Sequence, residues 1–126
     1  MKFHHIGIAT KDLKSSLEFV QKNFEVLEVS EEIFDENQNA TLQMIKTKDL
    51  NIELVSGKVV EKLIASKITY YHICYEVEDI YGKIEEFQKN GGAMLVSSVK
   101  PAILFDNRLV AFLMTPLGLV ELLNAN

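Results

Sequence analysis

Hydrophobic and polar positions change their period twice along the chain, in the same order each time. Met1 to Ala9 and Tyr70 to Val77 are rich in β-branched and aromatic residues, which predicts a strand in each place. Behind the first, Leu13, Leu17, Val20 and Phe24 fall at i, i+4, i+7 and i+11; behind the second, Ile80, Ile84 and Phe87 follow the same helical spacing. Asp12 and Asp79 stand where an N-cap is wanted, because a short carboxylate accepts from the free amides of a first helical turn. Three strand-like runs follow each predicted helix. In the first half they are Val26 to Phe34, Ala40 to Ile45 and Asn51 to Val55; in the second, Ala93 to Ser97, Leu109 to Met114 and Leu119 to Leu123. Pro116-Leu117-Gly118 and Lys48-Asp49 supply the turns before the last strand of each half.

The two halves therefore follow one plan. His5-Ile6, Asp12-Leu13, Leu17, Glu18 and Asn23 recur as His72-Ile73, Asp79-Ile80, Ile84, Glu85 and Asn90, all at an offset of 67 residues. The fold class that follows is α+β, with two tandem βαβββ modules at about 1–56 and 68–126. The segment 57–67 connects them and reads as helical from Val59 to Ser66. A single domain over 1–126 is expected, since each half is small for burying a sheet face by itself.

Strand alternation gives the repeat chemical content. His5 shares a face with Gly7 and Ala9, and His72 shares one with Cys74 and Glu76; His4 falls on the opposite face and is assigned no role. The last strand of each half sets a glutamate between aliphatic neighbours, Ile52-Glu53-Leu54 and Val120-Glu121-Leu122. Glu53 lies 48 residues after His5, and Glu121 lies 49 after His72. A carboxylate among apolar neighbours in a core strand is costly unless it is paired or bound to a cation. One strand histidine, or one such glutamate, would ordinarily be a hydrogen-bonded or outward-facing residue. Two of each at matching positions would suit a divalent metal if the halves are related by a pseudo-twofold axis. The mixed nitrogen and oxygen donors admit zinc, nickel, cobalt, manganese or ferrous iron.

Composition narrows the classes of partner. Thirteen Lys+Arg against eighteen Asp+Glu leave a formal charge of -5, and Arg108 is the single arginine, so a nucleic-acid partner is not expected. The longest unbroken apolar run, Leu109 to Met114, is far short of the ~20 residues of a membrane span. Cys74 is the only cysteine, the start lacks the apolar stretch of a signal peptide, and a cytoplasmic location is expected.

These residues carry a family resemblance. The stretches His5-Ile6-Gly7-Ile8-Ala9-Thr10-Lys11-Asp12-Leu13, Asn51-Ile52-Glu53-Leu54-Val55, Tyr71-His72-Ile73-Cys74-Tyr75-Glu76-Val77-Glu78-Asp79-Ile80 and Leu119-Val120-Glu121-Leu122 resemble the vicinal oxygen chelate (glyoxalase) superfamily. Within it the pattern is most similar to methylmalonyl-CoA epimerase, with glyoxalase I next. The resemblance implies curved mixed sheets forming a cleft around one divalent metal (Zn, Ni, Co or Mn), held by His5, Glu53, His72 and Glu121. It further implies proton transfer next to a carbonyl, with Glu121 as first choice of base and Glu53 as second. A small-molecule substrate and a homodimer are implied as partners.

Departures from the family pattern bear on substrate contacts. Some epimerases carry a further glutamate on the strand before the second ligand, and the resemblance sets Gln43 there, where it can contact substrate but cannot act as a base. In place of a Gly-rich loop the chain has Pro101 to Arg108. This apolar run reads either as a buried loop with a surface arginine or as a lid in which Ile103, Leu104 and Phe105 cover the pocket while Arg108 pairs with a substrate carboxylate or phosphate. Alternatives to the epimerase reading are a lactoylglutathione lyase of the glyoxalase I type, an extradiol-type iron dioxygenase, and a metal-free small-molecule-binding protein of the antibiotic-resistance type.

Overall fold

Asp12 and Asp79 head the two long helices of the computed structural model, which describes residues 1–126. The chain divides into two units, His5–Tyr71 and a second composed of Met1–His4 with His72–Asn126. Both are mixed α+β, and no helix is long and apolar enough to cross a membrane.

The first unit begins within β1 (Lys2–Ala9) and continues through α1 (Leu13–Asn23), where Asp12 Oδ1 accepts from the Lys14 amide at 3.1 Å. Then come β2 (Val26–Val29), β3 (Ile33–Asp35), β4 (Ala40–Thr47) and β5 (Asn51–Gly57). The run Val26 to Phe34, expected as one strand, is thus two. Ser30 interrupts it: the Ser30 hydroxyl oxygen accepts from the Met44 amide at 2.9 Å, replacing a ladder carbonyl. Both pieces still pair antiparallel with β4, which pairs antiparallel with β5; β5 runs parallel to β1. Leu13 and Val20 of α1 pack on Ile45, Ile52 and Leu54, with Ile6 and Ile8 beside them. Each such buried aliphatic side chain contributes roughly 1.5–3 kcal/mol. The connecting segment is helical as expected, a 3-10 turn over Lys58–Val60 and a short α2 (Glu61–Ala65).

The second unit repeats the order with β6 (Tyr70–Val77), α3 (Ile80–Asn90), β7 (Met94–Ala102), β8 (Arg108–Thr115) and β9 (Gly118–Asn124). Asp79 Oδ1 accepts from the Gly82 amide at 3.2 Å, one residue further into the helix than in α1. Here β6 runs parallel to β9, which pairs antiparallel with β8, itself antiparallel to β7. Ile80 and Ile84 cover Val120, Leu122, Ala111 and Leu113. Gly118 has φ 90, a value an L side chain resists, and it closes the turn from Thr115 over Pro116 and Leu117.

Pro101 to Arg108, for which a buried loop and a lid are both expected, is a structured hairpin connection. β7 runs on through Pro101 and Ala102, Ile103–Phe105 form a 3-10 turn, and Asp106 and Asn107 adopt φ 54 and 63. Proline is tolerated there because β7 is bonded to β8 on one side only in this unit. Asn107 donates its amide to the Ala102 carbonyl at 2.9 Å, and Phe105 is buried.

Candidate metal centre

Register places the predicted ligands. In the first unit Gly7 is the cross-strand partner of Glu53, so His5, two residues before Gly7, and Glu53 stand on the face of β1 and β5 away from α1. Ile6 and Ile52 pair on the other face, under the helix. No side chain competes for the space directly across β1 from Glu53. His5 Nε2 lies 3.5 Å from Glu53 Oε1, and both residues are buried.

The second unit makes the same arrangement independently. Cys74, 67 residues after Gly7, is the partner of Glu121, so His72 again stands two residues before the position facing its glutamate. His72 Nε2 lies 3.2 Å from Glu121 Oε1, with side chains 0% and 2% exposed. Phe112, the β8 partner of Glu121, meets the His72 ring edge-on at 5.3 Å and fixes its plane.

Each pair offers one imidazole nitrogen and one carboxylate oxygen in a buried setting. Two donors bound ~2.1 Å from one cation sit ~3.0–3.4 Å apart for octahedral to tetrahedral angles. The observed 3.2 Å lies within that spacing and the 3.5 Å just beyond its upper end. Each pair therefore fits half of a coordination sphere, and the donor types suit a borderline divalent ion.

The other predicted site residues fall differently. Gln43 is the partner of Leu54, which packs under α1, so Gln43 faces the helix layer; Leu42 and Met44 share the face of Glu53. Gln43 Nε2 donates to the Ser30 carbonyl at 3.1 Å, while its Oε1 is buried without a hydrogen-bond partner. Gln43, expected to contact substrate, is therefore turned away from Glu53, since adjacent strand residues face opposite sides. Phe105 packs its ring against His4 at 5.4 Å. Arg108 donates from Nη1 to Glu76 Oε2 at 2.8 Å and to the carbonyls of Ala125 and Asn124 at 3.2 and 3.4 Å.

Two residues in this region are missed by sequence reasoning. Glu76 shares the face of His72 but has no role until its partner is known. The hydrogen bond from Arg108 holds the Glu76 carboxyl below its ordinary value of 4.5, against a push upward from burial, and the charges of Arg108, His4 and Lys2 add to the lowering. His4, counted by alternation onto the far side from His5, belongs with the second unit, close enough to Phe105 and Glu76 to act on both.

Comparison with known proteins is consistent with this architecture. Residues 4–112 match the Glyoxalase/Bleomycin resistance protein/Dioxygenase superfamily. Methylmalonyl-CoA epimerase from Mycobacterium tuberculosis superposes with a TM-score of 0.84 at 18% identity, covering 99% of this chain and 88% of that one. A hypothetical protein, BH1468 from Bacillus halodurans C-125, gives 0.77 at 24% identity, covering 99% and 94%. A variant of Streptomyces coelicolor methylmalonyl-CoA epimerase in complex with 2-nitronate-propionyl-CoA gives 0.74 at 22%, covering 100% and 99%. No curated protein matches the chain significantly.

Proposed function

We propose, for a chain that belongs to the Glyoxalase/Bleomycin resistance protein/Dioxygenase superfamily, that His5, Glu53, His72 and Glu121 together hold one divalent cation and that the protein moves a proton next to a carbonyl. The observation that carries this reading is the duplicated His–Glu pair, buried at equivalent register positions in both units. A divalent cation there would supply Lewis-acid stabilisation of the negative charge that develops on the carbonyl oxygen as the adjacent C–H is deprotonated.

The chain's own residues do the rest. His5 and His72 hold the site, Glu121 takes the proton, and Glu53 is the second carboxylate, able to return a proton to the other face of the carbon. That division describes an isomerase of the methylmalonyl-CoA epimerase type, acting in a cytoplasmic homodimer on a small acyl substrate. Leu42 and Met44, apolar on the Glu53 face, leave β4 without a carboxylate there, so both proton transfers fall to Glu53 and Glu121. The same apolar wall favours, as second reading, a lactoylglutathione lyase in which one glutamate removes and returns the proton.

Elemental analysis of the purified protein, together with α-proton exchange in D2O, tests the reading. One divalent ion per chain and solvent exchange of the α-proton of a 2-methylmalonyl thioester, lost in Glu121→Gln, are expected. Retained exchange in that variant overturns the base assignment. No metal, and no rise in melting temperature on adding zinc, nickel, cobalt or manganese, overturns the centre and leaves small-molecule binding in its place.

A further inference from the structure

The guanidinium of Arg108 is held in place yet only partly used. All three of its hydrogen bonds leave from Nη1, to Glu76, Asn124 and Ala125, while Nε and Nη2 make none. Arg108 is 24% exposed and Glu76 28%, so the pair sits at the edge of solvent. The free Nε–Nη2 edge is the fork that accepts a carboxylate or phosphate in two parallel hydrogen bonds. Lys2 and His4 also act on Glu76, so one carboxylate is set among three basic side chains in a chain whose net charge is -5.

Register fixes where this cation lies relative to the reacting end. Arg108 stands four residues before Phe112, the partner of Glu121, and Glu76 stands four residues after His72. Both offsets are even, so all four side chains share one face of the second unit, and the Arg108–Glu76 contact spans β9 on that face. Four strand residues span ~13 Å.

We propose that Arg108, oriented by Glu76, anchors an anionic group on the substrate about 13 Å from the carbonyl that reacts beside His72 and Glu121. The substrate is then elongated, with a phosphate or carboxylate remote from its reacting carbon. Glu76 is a positioning residue: it holds the guanidinium across the sheet with the Nε–Nη2 edge open. The distance, though not the anion contact, rests on the reading of His72 and Glu121 as the reacting end.

The test is a set of equilibrium affinities for the metal-loaded protein, with metal content measured in every sample. The probes are a propionyl thioester of coenzyme A, whose tail carries phosphates, a glutathione thioester, whose tail carries carboxylates, and the truncated N-acetylcysteamine thioester, which carries neither. The wild type should bind one of the two anionic probes more tightly than the truncated one, and which one identifies the anion. Arg108→Gln should lose that preference on the order of ten- to hundredfold while truncated-probe affinity changes less than about twofold. Arg108→Lys should lose an intermediate part, since the charge remains and the fork does not.

Glu76→Gln separates anchoring from simple structural pairing. It should keep the fork but loosen its orientation, so the anionic preference falls by less than in Arg108→Gln while truncated-probe affinity is unchanged. A preference equal to the wild type's overturns the positioning role of Glu76, and a purely structural ion pair would lower affinity for all probes alike in both variants. Equal affinity of the wild type for anionic and truncated probes, or equal losses for all probes in Arg108→Gln, overturns the proposal. Preference for an anionic probe in a protein that holds no metal would support the anchor and overturn the metal centre, so the two readings fail separately.

Discussion

His72 Nε2 and Glu121 Oε1 approach to 3.2 Å with neither residue reached by solvent to any useful extent. Each side chain compensates part of the burial cost of the other. His72→Ala should therefore destabilise the metal-free protein by about 3 kcal/mol, because a carboxylate stays buried without the imidazole. Glu121→Gln, which keeps the shape and removes the charge, should cost less. Urea unfolding of both variants checks the order, and a His72→Ala protein as stable as the wild type would contradict it.

Cation removal should be visible in the melting temperature. A chelator-treated sample should melt lower than one supplied with a divalent ion at a hundredfold excess over its dissociation constant, where binding adds about 2.7 kcal/mol. The gain should vanish in a His5→Ala, His72→Ala double variant. Thermal scans with zinc, nickel, cobalt and manganese also rank the ions.

Two neighbouring residues on β4 make a test of face. Gln43→Leu should change stability by no more than about 1 kcal/mol, since one lost hydrogen bond is offset by removing an oxygen buried without a partner. It should leave turnover unchanged. Leu42→Gln, on the Glu53 face, should lower kcat/KM about tenfold by placing a polar group beside the carboxylate. Turnover assays of the pair would show the reverse order if Gln43 met the substrate.

The Arg108–Glu76 pair should contribute stability that depends on pH. Because folding lowers the Glu76 value below 4.5, the contribution is fully present above about pH 4.5 and is lost as pH falls through the depressed folded value. Its size is on the order of 0.5–1 kcal/mol, as expected for a partly exposed pair. Stability curves of the wild type and Arg108→Gln should separate near neutral pH and converge in acid; separation that persists at the acid end would refute the assignment.

Much of this architecture was legible from spacing alone. The 67-residue offset predicts both aspartate caps and both helices, because strand and helix periods act locally, and the spacings of 48 and 49 residues set one glutamate against each histidine. Ser30 breaks its strand through a hydroxyl that reaches a neighbouring strand, a contact made only once β4 is in place. The direction of Gln43 is not legible from family likeness, because likeness carries no strand register and adjacent residues of β4 face opposite sides. The setting of Phe105 and Arg108 is less legible, since Asp106 and Asn107 suit a left-handed turn without showing which partners the flanking side chains meet once β7 and β8 pair. His4 has no visible role in the sequence because its partners Phe105 and Glu76 are distant along the chain and meet it only in the folded second unit.

The repeat is not perfect where it matters most. Opposite Glu53 stands Gly7, and opposite Glu121, in the matching slot, stands the buried thiol of Cys74. The two strand pairs thus share a histidine and a glutamate at matching positions while the neighbour of each carboxylate differs. The Gly7–Cys74 difference gives the two carboxylates unlike neighbours, so the same substitution made at Glu53 and at Glu121 meets open space across the strand in one unit and a buried sulfur in the other.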